Sequence, residues 1–468
     1  MSSPNQLQSS FRDPAGYVFT HQGVIYRQIN LSGRQDYEAF MSSGLYQALT
    51  VKRLIVEHQE IGKPKGLTLT GSYYKLLQPS RVDFISYPYE WSFSQFQDAA
   101  LLTLQIQQEA LRHGMVLKDA SAYNIQFVNG CPVLIDTLSF EPSTNARAWT
   151  AYKQFCQHFL APLALMSQVD VRLSSMMRNY IDGIPLDLAA KLLPRHKRLR
   201  PGLLIHVWLH AKAQQRFADG SKAPSKPPVA SSDTRVLMAQ ADSLQRLTRS
   251  LHLQSKHSTE WGEYYSFTNY EDASFTAKQK LVGTYIKNLK PPEVWDLGGN
   301  DGRFTRVALD AGAARAVCFD IDPIAVEKNY HHLKKHQETT LLPLLLDLTN
   351  PSPSLGWANA ERDSLAGRAK PHTTIMALAL IHHLAISNNL SFDLIAAYFA
   401  KLGGHLIIEF VPKEDSKVQV LLTTRKDIFS EYTKSGFENA FKRYYSIEKQ
   451  DDITGSARTL YLMKIKPS

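Results

Sequence analysis

Between residues 291 and 468, short apolar runs alternate with amphipathic stretches. Val294-Trp295, Ala316 to Phe319, Leu342 to Leu346, Thr373 to Leu380 and Leu406 to Phe410 each read as a buried strand. Phe304, Val307, Ala308 and Leu309 recur at helical spacing, and Lys401-Leu402-Gly403-Gly404 reads as a helix end followed by a tight turn. Strand and helix in alternation predict a parallel sheet covered by helices, an α/β architecture. Tyr445 to Glu448 and Leu460 to Ile465 add a closing antiparallel pair, for a seven-stranded, Rossmann-like sheet.

The N-terminal half has a different rhythm and predicts an α+β domain. Tyr17 to Thr20 and Val24 to Ile29 form a hairpin about Gln22-Gly23. A helix from Asp36 to about Leu49 follows, then strands near Leu67 to Leu77 and Arg81 to Ser86. A long helix starts at Ser92 or Ser94, carries Phe93, Phe96, Ala100, Leu104 and Leu111 on one side, and stops at Gly114. A second hairpin turns at Asn129-Gly130. The expected domains are 1–218 (α+β), a Pro/Ser-rich linker at 219–233, a helical lead-in at 234–290, and the sheet domain at 291–468. The lead-in holds Trp261, Tyr264, Tyr265, Phe267 and Tyr270, which read as core or as the wall of a pocket.

Composition narrows the setting. The chain has 468 residues and a net charge of +10, and most of the excess lies in residues 1–233. The densest basic run, Arg195 to Arg200 between Pro194 and Pro201, reads as a solvated turn rather than a nucleic-acid contact, and no zinc-finger, KH or RRM pattern accompanies it. Cys131, Cys156 and Cys318 have no pairing or metal spacing, which fits a reduced, cytoplasmic protein. No signal peptide and no membrane-length apolar run is expected.

The chemistry concentrates at Asp296-Leu297-Gly298-Gly299-Asn300-Asp301-Gly302, a glycine turn between a strand and a helix. Asp320 ends the next strand, where an acid can take both hydroxyls of a ribose. The dinucleotide fingerprint does not fit, because Asn300 and Arg303 stand where its second and third glycines belong. Over residues 234–468 the pattern resembles class I S-adenosylmethionine-dependent methyltransferases. The resemblance implies S-adenosyl-L-methionine as cofactor, with Asp296, Gly298, Gly299, Asn300, Gly302 and Asp320 around it. It also implies Asp347 near the adenine and His382 or His383 near the methyl group, with Glu409 and Asp415 as reserve bases. The insertion from Asn350 to Trp357 could cover the adenine or the acceptor.

Leu117-Lys118-Asp119-Ala120-Ser121-Ala122-Tyr123-Asn124, with Asp136 after one more hairpin, resembles the catalytic loop of protein-kinase-like and aminoglycoside-phosphotransferase-like folds. That resemblance implies a vestigial phosphotransfer site at Asp119, Asn124 and Asp136, with Arg27 or Lys75 in place of the strand lysine and Glu38 as helix partner. The pattern departs from that family in three ways: no His precedes Asp119, Thr137-Leu138 follow Asp136, and no glycine-rich phosphate loop is visible. The whole chain, through Tyr87 to Phe93, Leu117 to Ala120 and Ile135 to Leu138, also resembles large bacterial nodulation-protein-type methyltransferases.

Three functions remain open: a methyltransferase for a small molecule, a bifunctional phosphotransferase and methyltransferase, and a methyltransferase of protein or nucleic acid. Ile381-His382-His383-Leu384 stands where enzymes of amino-base methylation carry an Asn/Asp-Pro-Pro-aromatic loop, which favours the first. No metal ligand set is expected.

Overall fold

The computed structural model describes residues 5–69, 72–143, 149–213, 233–253, 272–423 and 425–467. They fall into two units, Met1–His257 with Leu355–Arg362, and Ser258–Ser354 with Asp363–Ser468. The stretch 219–232 and the aromatic group from Trp261 to Tyr270 lie outside the described residues. Among those residues no helix is long and apolar enough to cross a membrane.

The first unit opens on a five-stranded antiparallel sheet. Its strands are β1 (Asn5–Gln6), β2 (Gly16–His21), β3 (Val24–Asn30), β4 (His58–Ile61) and β5 (Tyr73–Pro79), in the order β1-β2-β3-β5-β4. The β2–β3 turn has positive φ at both Gln22 and Gly23, the geometry that matches strand twist in a two-residue hairpin. Of the expected strands, Leu67 to Leu77 overlaps β5, Arg81 to Ser86 is not a strand, and β4 is unexpected. The Gly62-Lys63-Pro64-Lys65-Gly66 run breaks the chain before Leu67, and β4 (His-Gln-Glu-Ile) is a polar edge strand with no alternating apolar signal. The helix expected from Asp36 is two helices, Arg34–Ser42 and Leu45–Val51, because Gly44 between them takes φ +78°.

The long helix runs Phe93–Arg112. Ser92 caps it: its side chain accepts the Gln95 N–H, and the Gln95 side chain accepts the Ser92 N–H. The helix Thr234–Ser250, expected to lead into the second unit, belongs to this one. It buries Leu237, Ala241, Leu244 and Leu247, and Gln97 donates to the carbonyls of Thr248 and Leu251, which end it. Gln108 also donates to Asp242. After the long helix come β6 (Met115–Leu117), β7 (Ile125–Val128), β8 (Cys131–Leu134) and β9 (Phe140–Pro142).

Part of the insertion expected to cover the adenine or the acceptor is built into this unit instead. Arg12 makes a two-pronged ion pair with the buried Glu361, both contacts 2.8 Å. The Arg362 guanidinium lies over the Tyr123 ring at 4.6 Å.

The second unit is built on a seven-stranded sheet of β10 (Glu293–Leu297), β11 (Ala316–Asp320), β12 (Leu341–Leu345), β13 (Thr373–Ala377), β14 (His405–Phe410), β15 (Tyr445–Asp452) and β16 (Thr459–Ile465). Their order is β12-β11-β10-β13-β14-β16-β15, and only β16 runs against its neighbours. This is the topology expected of a class I methyltransferase sheet. Strand order reverses at β10, so β10 and β13 diverge in connection and leave a crevice at their carboxyl ends. The helix Asp272–Leu289 packs Val282, Tyr285 and Ile286 into the core beside Val294 and Phe304.

Candidate functional site

The crevice at the ends of β10, β11 and β13 is a cavity of about 380 Å³. Its wall includes Asp296, Gly298, Gly299, Asn300, Asp320 and Asp347, which the sequence placed together. Each reaches it by a local cause. Gly298 and Gly299 both donate backbone N–H to the Phe319 carbonyl, which pins the turn to β11. Side chains are excluded there: a Cβ on Gly299 would stand 2.5 Å from Cys318 Sγ and 2.8 Å from Asp296 Oδ2. Gly302 has φ +81°, and a Cβ would meet the Asn329 side chain at 2.6 Å.

Asp320 is held by the backbone. Its two oxygens accept backbone N–H groups, Oδ2 from Asn300 (2.8 Å) and Oδ1 from Asp322 (2.9 Å). Burial nevertheless pushes its pKa up to about 6, against those hydrogen bonds. Asp296 is buried at the end of β10, accepts the Thr305 hydroxyl at 2.6 Å, and is pushed by burial to about 7. Asp347 accepts both the N–H and the hydroxyl of Thr349, and so fixes the turn after β12.

The two histidines separate. His383 lines the cavity, whereas His382 is 2% exposed and lies off it. Their rings are 4.1 Å apart. Burial lowers both pKa values, that of His383 to about 4, so both rings are neutral near pH 7. His382 Nδ1 has no hydrogen-bond partner among the described residues.

Glu409 and Asp415, expected as reserve bases, are not among the residues that line this cavity. Glu409 is fully buried and accepts Lys278 Nζ (2.5 Å), the Ala379 N–H (2.7 Å) and an Arg458 guanidinium N–H (3.3 Å). Asp415 takes the same guanidinium by two contacts, 2.7 and 3.1 Å. The two cations hold Glu409 below the usual carboxylate range despite its burial, which makes it a weak proton acceptor. Lys278 and Phe304 line the cavity, and no sequence motif marks either as a site residue. Lys278 sits upstream of β10 in a stretch with no motif, and only the tertiary fold brings it near Glu409.

No protein-family model matches the chain. Nodulation protein NoeA of Rhizobium meliloti (strain 1021) is 33% identical over 465 residues, spanning 98% of this chain and 96% of that protein. The chain belongs to the NoeA family of nodulation proteins. Solved structures similar to parts of it include magnesium protoporphyrin IX methyltransferase (ChlM) of Synechocystis PCC 6803 with bound SAM, 15% identical over 44% of this chain and 89% of that one, TM-score 0.31. The N-methyltransferase NodS of Bradyrhizobium japonicum WM9 is 9% identical over 42% of this chain and 99% of that one, TM-score 0.30.

The first unit of this NoeA-family chain also gathers residues named from sequence. Asp119 and Asp136 are close enough for the Asp136 charge to raise the Asp119 pKa, after burial, and the Asn124 amide adjoins Asp119. Asp119 accepts Gln154 Nε2 (2.8 Å) and the Ser121 N–H (3.0 Å). Arg27 Nη2 sits 2.5 Å from Asp136 and 3.8 Å from Asp13. Glu38 is not the helix partner of Arg27: it pairs with Arg34 and Tyr74, while Lys75 pairs with Glu60. The helix acid that reaches the loop is Asp36, 2.5 Å from Lys118.

Proposed function

We propose that the protein transfers a methyl group from S-adenosylmethionine to an acceptor of small-molecule size. One observation carries the reading: a buried carboxylate at the end of the second strand, held by two backbone N–H groups and facing a glycine turn with no room for side chains. That donor set suits an adenosyl ligand. Asp320 would hold the ribose hydroxyls, Gly298, Gly299 and Asn300 would admit the ligand against backbone, and Asp296 and Asp347 would be the further acids around it. When bound, S-adenosylmethionine supplies an electrophilic methyl group.

The chain's own residues then align and deprotonate the acceptor. His383 stands on the cavity wall as a neutral imidazole able to accept a proton, and His382 behind it holds the ring in place. Leu380, Leu384 and Leu421 make the neighbouring wall apolar, which excludes water from the transfer. Three free cysteines, two of them buried, suit a reducing cytoplasm. The test is mass spectrometry of ligand co-purified with the protein, followed by a labelled-methyl screen of cell extract. Recovery of a nicotinamide cofactor, or label transfer into nucleic acid alone, would sink this reading.

For the first unit, a kinase-like descent is supported by element order: a small antiparallel sheet with helices, a long helix, the Asp119–Asn124 loop, a hairpin, then Asp136. The magnesium which that resemblance implies does not fit. The Arg27 guanidinium already neutralises Asp136, and no group of three or more His, Cys, Asp or Glu among the described residues could hold a metal ion. The unit then serves as an accessory domain. Micromolar magnesium-dependent ATP binding, lost in Asp136→Ala, would restore the bifunctional alternative.

A further inference from the structure

Residues 188–213 of the first unit hold six Lys or Arg and no Asp or Glu. Arg198 is used within the stretch, where it donates to the carbonyls of Lys191 and Leu193, and Lys191 lies 3.7 Å from Asp187. Arg195, Arg200 and Lys212 are exposed. Four large apolar side chains are exposed among them: Leu192 (42%), Leu199 (70%), Ile205 (51%) and Leu209 (46%). A single exposed leucine is ordinary, but four in one basic run mark a surface with a partner.

The helix through residues 201–213 turns its polar anchor inward and apolar groups outward. Its inner face buries Leu203, Val207 and Ala211 together with His206. His206 Nδ1 lies 2.8 Å from the Tyr152 hydroxyl, and its Nε2 lies 3.1 Å from the Ser243 hydroxyl. Those two hydrogen bonds fix which face points out. The outer face carries Pro201, Ile205 and Leu209 at four-residue spacing. Lys212 follows, with its ammonium 3.7 Å from the centroid of the part-buried Trp208 ring. A helix apolar on both faces belongs in a core or against a second apolar phase.

Nucleic acid would meet the basic charge, but its phosphates give exposed leucines nothing to pack on. A layer of anionic headgroups over hydrocarbon meets both features. Arg and Lys attract the headgroups, the aliphatic side chains enter the acyl boundary, and a Trp–Lys pair suits the level between. We propose that this face of the first unit binds an anionic lipid surface peripherally, lying on it rather than crossing it. The inference is independent of the methyl-transfer reading, and neither depends on the other.

Flotation of the full-length protein with vesicles tests it. One set is phosphatidylcholine alone, and the other contains about a third phosphatidylglycerol to supply negative charge. Partitioning onto the anionic vesicles should exceed that onto the neutral ones by at least about tenfold at low salt, and high salt should shrink the difference. Ile205→Gln/Leu209→Gln alters two half-exposed positions, so it should keep the native thermal midpoint and lower anionic-vesicle partitioning about tenfold or more. Arg195→Gln/Arg200→Gln should lower it to a similar degree on anionic vesicles only. Absent or equal partitioning of the native protein onto the two vesicle types overturns the proposal, as does full binding in both double variants. Single-stranded RNA that binds tighter than the vesicles and ignores Ile205→Gln/Leu209→Gln would assign the run to nucleic acid instead. A concentration-dependent dimer that the same variant dissociates would assign the face to a second copy of the chain, and also overturns the proposal.

Discussion

Asp296 and Asp320 are the residues whose charge state should govern the cavity. Burial raises both, to about 7 and about 6, above an ordinary carboxyl near 4. The folded state without ligand therefore holds their protons longer than the unfolded chain. Their favourable contribution is complete below about pH 4 and is lost as pH rises through 6 and 7. A ligand that presents an ammonium and ribose hydroxyls needs the ionised forms, so its affinity changes in the opposite sense. Thermal unfolding with and without S-adenosylhomocysteine should show a ligand-induced shift that is small at pH 5.5, grows through pH 6–7 and levels off by pH 8. A shift independent of pH would mean that neither carboxylate meets the ligand. In Asp320→Asn the charge-assisted contacts weaken, and calorimetry should record a loss of about 1.5–3 kcal/mol in binding. His383 and His382 adjoin in sequence, yet only the first lines the cavity. That division is invisible in the chain, since it depends on the turn the backbone takes after β13.

At the scale of elements, the strand–turn–helix–strand unit from β10 to β11 is legible because its signals are local: apolar runs, glycines, and an acid at the strand's end. The edge strand β4 is not, since a polar strand paired on one side has no periodicity to read. Nor is the ion cluster at the end of β14. Lys278, Glu409, Asp415 and Arg458 come from four places in the sequence, and nothing in the chain marks them as partners of one another. Together they bind the helix Asp272–Leu289, β14 and the start of β16. Removing one member leaves a buried charge unmatched. Arg458→Met should cost about 3–5 kcal/mol in chemical denaturation, while Arg458→Met combined with Glu409→Gln should recover part of it. Additive losses in the double variant would argue that the cluster is not a coupled unit.

At the scale of the molecule, the Pro/Ser-rich stretch suggests a boundary near residue 219, because composition marks where chain cannot form a core. The first unit instead continues through the helix Thr234–Ser250, whose amphipathic face would as readily suit the sheet domain C-terminal to it. Amphipathicity states that a helix has a partner but not which one. The two boundaries predict different fragments. Residues 1–257 should unfold cooperatively, and truncation at residue 218 should lower stability by at least about 3 kcal/mol, since it removes buried Leu237, Leu244 and Leu247 and exposes the apolar surface they cover. Equal urea midpoints for the two fragments would favour the boundary near residue 219.

The ion pair of Arg12 with Glu361 carries a consequence for how such a chain can be inherited. Residue 12 and residue 361 complete one folded unit, yet three strands of the second unit's sheet, β10 to β12, are encoded between them. Neither half is a self-contained cassette. A recombination event that carried off the first 257 codons would leave Leu355–Arg362 behind in the other gene, and the recipient would acquire a domain missing a piece of itself. Descent should therefore keep the two halves together as one reading frame, even in lineages where only one of them still has a task.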